Sequence, residues 1–118
     1  MRPSTPVPVQ INTDATLTSH EARRERITGV VTSAVEHVRD RISRVEVHLS
    51  VEHAHHPTGS NVRCLMEARI ERHPPVAVSH TSGSLEDAVD GAADKLQRTL
   101  EHLLVRDDRH HRETIRHA

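Results

Sequence analysis

The chain has 118 residues, a formal net charge of -1 and no Phe, Trp or Tyr. That length holds one domain with one modest core, which Val, Leu, Ile, Ala and Met must fill without aromatic rings. The balance of 16 Lys and Arg against 17 Asp and Glu argues against a globally basic nucleic-acid binder. A single cysteine rules out an internal disulfide, and the opening MRPSTPVPVQ lacks the apolar run of a signal peptide or membrane span. The expected location is cytoplasmic.

Residues 1–6, rich in Pro, Ser and Thr, read as a flexible leader. From Val7 to Asn12, apolar Val7, Val9 and Ile11 alternate with Pro8, Gln10 and Asn12, the period of a short strand. Pro8 has no amide hydrogen, which puts this strand at an edge or leaves that side unpaired. Thr18 and Glu21 have capping-box spacing and open a helix to about Arg41, with Ile27, Val31, Ala34 and Val38 as its stripe. At Ile42 to Glu52 the period changes to two, with Val45, Val47, Leu49 and Val51 on one face. His53 to Asn61 contains Pro57 and Gly59 and reads as a loop.

Alternation returns from Val62 to Glu71, with Val62, Cys64, Met66, Ala68 and Ile70 on one side. Arg72 to Pro75 reads as a turn and Val76 to Thr81 as the last strand. Ser84 then caps a second helix reaching Arg106, whose stripe is Leu85, Val89, Ala92, Leu96, Leu100 and Leu103. Residues 107–118 form a charged tail. Three strands joined by short connections make an antiparallel meander, and one apolar face per strand calls both helices to the same side. The prediction is a two-layer α+β domain over residues 7–106, ordered β-α-β-β-β-α, with both helices on one face of a four-stranded sheet.

The chemistry-bearing residues point away from catalysis. Cys64 occupies an inward strand position, where a thiol is inert core. Thr81, Ser82, Gly83 and Ser84 read as a helix cap, and Asp90 and Asp94 sit together on a wet helical face. No enzyme activity, cofactor or small-molecule substrate is expected. His53, His55 and His56, with His110 and His111, lack the rigid spacing of a metal centre, so no metal site is expected either. Protonation among the twelve histidines would carry the chain from slightly negative to positive below neutral pH.

Two motifs carry a family resemblance. Asp40, Arg41, Ile42 and Val45 form an acidic-basic-Ile-x-x-Val run, and Ala88, Val89, Asp90, Asp94, Lys95 and Leu96 form the heart of the last helix. Together with the element order they resemble the ribosome hibernation-promoting factor and ribosome-associated inhibitor family, in its short form, from about Val7 to Arg106. The resemblance implies a fold similar to the double-stranded RNA-binding domain. It also implies a stress factor that binds ribosomal RNA of the small subunit and inhibits translation. The phosphate contacts it implies are Arg23, Arg24, Arg26, Arg39, Arg41, Lys95, Arg98 and Arg106. The absence of aromatic rings fits recognition by shape and charge rather than by base stacking.

Departures from the family pattern thin this footprint. Thr28, Gly29, Thr32 and Ser33 stand in the middle of the first helix, where the family usually carries Lys and Arg, and Glu101, His102, Leu103 and Leu104 follow Lys95 and Arg98. A second reading follows: a divergent protein-interaction module with weak or no ribosome binding. The sequence carries no signal for an oligomeric state.

Overall fold

The structure, a computed structural model, describes residues 7–13, 21–52 and 61–116, and side chains as far as Leu104. Its elements are β1 (Val9–Thr13), α1 (Glu21–Val35) continued by a 3-10 helix (Glu36–Arg41), β2 (Ile42–Glu52), β3 (Asn61–Ile70), β4 (His73–Ser82) and α2 (Leu85–Arg116). The strands lie in the order β1-β2-β3-β4. β1 runs parallel to β2, as the helical crossover between them requires, while β2, β3 and β4 form an antiparallel meander.

The apolar residues of this alternation meet the helices. Val45, Val47 and Leu49 of β2 and Val62, Cys64, Met66, Ala68 and Ile70 of β3 are all buried. They pack against Ile27, Val31, Ala34 and Val35 of α1 and Leu85, Val89, Ala92, Leu96, Leu100 and Leu104 of α2. Methionine and branched aliphatics thus do the filling that aromatics do in other small domains, with Met66 and Leu96 among the largest side chains fully withdrawn from water. The Ser84 hydroxyl accepts from the Asp87 amide at 3.1 Å and starts α2 as an N-cap should.

Element boundaries depart from the sequence reading in four places. β1 begins at Val9, so Pro8 lies just ahead of it; the Pro8 carbonyl still accepts from the Val45 amide at 3.0 Å, and β1 is an edge strand as expected. α1 stops at Val35 and tightens into the 3-10 segment, where Val38 leaves helical geometry at φ -130 and ψ 17. Val35 is therefore buried in place of Val38, which is only half-buried. The turn after β3 is confined to Glu71 and Arg72, with Arg72 at φ 59, and β4 starts at His73. Pro74 and Pro75 fit inside β4 because the register shifts between Ala68↔Val76 and Ile70↔His73 and pairs neither proline, and because β4 is the other edge. Finally, α2 runs past Arg106 to Arg116, since no Gly or Pro follows to stop it. The leader at 1–6, the Thr18 cap and the histidine loop at 53–60 lie outside the described residues.

Candidate nucleic-acid interface

Helical spacing and the sheet beneath decide where each predicted cation stands. Arg23, Arg24 and Arg26 occupy the first turns of α1, just ahead of Ile27, the first residue buried in the core. Arg24 and Arg26 are exposed and, among the described residues, neither has an ion pair or a side-chain hydrogen bond. Arg23 is half-buried and engaged. Cations at a helix N-terminus face the positive end of the dipole and cost about 0.3–1 kcal/mol each when exposed. Local helix stability therefore does not account for this cluster.

The other predicted cations are occupied. Arg39 meets Glu36 at 3.0 Å, Arg98 meets Asp94 at 3.3 Å one helical turn away, and Arg41 is engaged. Lys95 donates to the Ser79 carbonyl at 2.9 Å, so its ammonium ties α2 to the margin of β4. The Arg106 side chain lies outside the described residues. Among the described side chains the predicted set thus divides into Arg24 and Arg26, exposed and without partners, and Arg23, Arg39, Arg41, Lys95 and Arg98, which are already held.

Between the helices runs an open groove of about 590 Å³, lined by Arg26, Gly29, Val30 and Ser33 from α1 and by Asp90, Ala93, Asp94 and Gln97 from α2. Its α2 wall is acidic, which opposes phosphate. Over Leu85 to Leu104, α2 carries Glu86, Asp87, Asp90, Asp94 and Glu101 against Lys95 and Arg98, a net of five minus two in favour of negative charge. The 21–41 segment carries Arg23, Arg24, Arg26, Arg39 and Arg41 against Glu21, Glu25, Glu36 and Asp40, a net of one positive. The two helices do not share a basic face; α1 supplies the positive field and α2 opposes it.

The sequence reading passed over the cations of the open sheet face. Arg44, Arg63 and Arg69 project there beside Glu46 and Glu67. Glu46 is the hub: its carboxylate lies 3.5 Å from Arg44 and 3.7 Å from Arg69, while Arg69 also reaches Glu67 at 3.4 Å. The outward positions were legible from the period-two alternation, but the diagonal pairing required the cross-strand register.

Burial pushes the Cys64 thiol up to about 12, because the thiolate would lose its hydration inside the core. At neutral pH it stays protonated and a poor nucleophile. Among the described residues no group of three or more His, Cys, Asp or Glu is placed to hold a metal ion. His53, His55 and His56 and the side chains of His110 and His111 lie outside them. No helix among the described residues is long and apolar enough to cross a membrane.

Comparison with known proteins agrees with this architecture. The N-terminal domain of Protein Y from Thermus thermophilus superposes with a TM-score of 0.59 at 15% identity, covering 84% of this chain and 99% of that one. At that identity the likeness is one of fold. No curated protein sequence matches. The profile of the family described as sigma 54 modulation protein / S30EA ribosomal protein matches residues 9–106, nearly the whole of the described domain. The chain belongs to this ribosome-associated family.

Proposed function

We propose that the chain is a cytoplasmic stress or dormancy factor that binds ribosomal RNA of the small subunit and inhibits translation by occupancy, without catalysis. Residues 7–106 would be the binding domain, with 1–6 as a leader and 107–118 as a charged tail. The observation that carries the reading is the Arg23, Arg24 and Arg26 cluster. Arg23 and Arg24 stand in the first turn of α1, where the helix dipole disfavours them, and Arg24 and Arg26 are exposed without partners among the described residues. An external anion such as a phosphate backbone would repay that placement. Arg39, Arg41, Lys95 and Arg98 would join only by exchanging present partners for phosphate, and Arg106 extends the set along α2.

The negative balance of α2 supports a second reading, in which the fold is kept but a protein partner replaces most of the ribosomal footprint. Sucrose-gradient sedimentation with ribosomes and separated subunits, at low and high salt, separates the two. Co-migration with the small subunit that weakens in salt, and is lost when Arg24→Glu and Arg26→Glu are combined, is expected from RNA binding. A chain that stays at the top of the gradient in both salts would exclude it.

A further inference from the structure

The groove between α1 and α2 is open along its rim. Arg26, Gly29 and Ser33 of α1 and Asp90, Asp94 and Gln97 of α2 are all exposed there, above a floor of Val30, Ala34 and Ala93. A narrower recess lined by Leu85, Glu86 and Val89 continues it toward the start of both helices.

Both walls give up local stability where they face each other. Glu86, Asp90 and Asp94 recur every four residues, so like charges stand one turn apart on the α2 wall, an unfavourable arrangement. The helix dipole offsets this for Glu86, in the first turn, but does not reach Asp90 and Asp94. Arg98 relieves Asp94 at 3.3 Å through a pair exposed to water, which is weak and readily exchanged. Asp90 has no ion pair among the described residues, although Arg26 lines the same groove. On the α1 wall Gly29 weakens the helix, and packing does not ask for it, since a Cβ there would meet nothing within 4 Å. One wall is thus acidic and uncommitted, and the other is kept low.

We propose that this groove docks a basic segment of a partner protein, an extended stretch in which Lys or Arg alternates with small apolar residues. Carboxylates four residues apart on α2 are spaced about 6 Å along its axis, close to the roughly 6.8 Å between alternate residues of an extended chain. Successive cations therefore meet Asp94 and Asp90 while the residues between them turn to the apolar floor, and Gly29 and Ser33 leave room for the backbone. Arg26 repels a further cation and fixes where the basic run ends. A phosphate backbone is the wrong occupant, because it would set negative charge against Asp90 and Asp94. Within residues 1–118 the segments at 1–6, 14–20 and 53–60 hold one Lys or Arg between them, Arg2, and the arginines after Leu104 follow on in α2, which is helical rather than extended. The occupant is therefore another protein. This gives a chemistry to the partner of the second reading above, and it rests on the groove rather than on ribosome binding.

The test is fluorescence anisotropy of a labelled, end-blocked peptide in which lysine alternates with alanine, titrated with the full chain up to about 1 mM. Saturable binding is expected. Asp90→Asn should weaken it about two- to fivefold, as the loss of one exposed charge pair does, and Asp90→Lys combined with Asp94→Lys should abolish it. Gly29→Leu fills the groove from a position with room for a side chain and should also abolish it, with urea unfolding showing that the variants remain folded. A wild-type chain that does not bind the lysine peptide overturns the proposal. So does a doubly reversed variant that binds it as tightly, or a glutamate-alanine peptide bound equally well. A labelled RNA oligomer whose binding Gly29→Leu abolishes would assign the groove to nucleic acid and overturn it too. Sedimentation with ribosomes is read separately, and either measurement can fail without the other.

Discussion

Two helical glycines show how one residue type serves different ends. A Cβ at Gly91 would overlap the His80 ring, which lies between β4 and α2, whereas a Cβ at Gly29 would meet nothing within 4 Å. Helix propensity favours alanine over glycine by about 1 kcal/mol at either place. Gly29→Ala is therefore expected to raise stability by about 0.5–1 kcal/mol in urea unfolding. Gly91→Ala is expected to lower it by about 1–3 kcal/mol through overpacking. In a His80→Ala background the Gly91→Ala change becomes stabilising. If Gly91→Ala stabilises the wild-type chain, the ring swings aside freely and the contact is not a constraint. The alternation of β4 put His80 on the inward side, but only the packing of α2 revealed why position 91 must lack a side chain.

At the scale of elements, the open sheet face is held by a diagonal arrangement of charge. The register sets Arg44 opposite Arg69 and Glu46 opposite Glu67, like against like, which is unfavourable by itself. Glu46 resolves it by bridging both arginines with its side chain only 16% exposed. Glu46→Gln should destabilise the sheet by about 1 kcal/mol, since it leaves two guanidinium groups facing each other. The loss should shrink in high salt, where that repulsion is screened. Urea unfolding at two ionic strengths measures both, and a loss indifferent to salt would mean that hydrogen bonding, not charge, sets the effect.

Among the described side chains charge is unevenly divided: α1 is mildly positive, α2 is negative from Leu85 to Leu104, and most of the helix cations are engaged. If, as proposed, Arg24 and Arg26 with Arg23 beside them contact ribosomal RNA, the binding should be weakly salt-dependent. About two or three phosphate contacts give a slope near −2 in a plot of log affinity against log salt. Equilibrium binding to small subunits across a salt series tests this. A slope of about −5 or steeper would mean that Lys95, Arg98 and Arg39 abandon their present partners for phosphate.

Much of this architecture was written in local pattern. The period-two runs around Val47 and Met66 and the three-four spacing from Leu85 to Leu100 determine the strands, the last helix and their buried faces, because those periods are properties of the backbone itself. The cluster of Arg23, Arg24 and Arg26 was equally visible. Tertiary structure decided what local pattern does not encode. Val35 rather than Val38 enters the core because the chain tightens to reach β2, and the prolines of β4 are tolerated because that strand has a free margin. Above all, tertiary structure decided which cations are available. Lys95 and Arg98 read alike as basic residues on a wet helix, yet one lies over a strand carbonyl and the other beside a carboxylate a turn away. Charge is a property of a residue, but its availability depends on the neighbours that folding brings within a few ångströms.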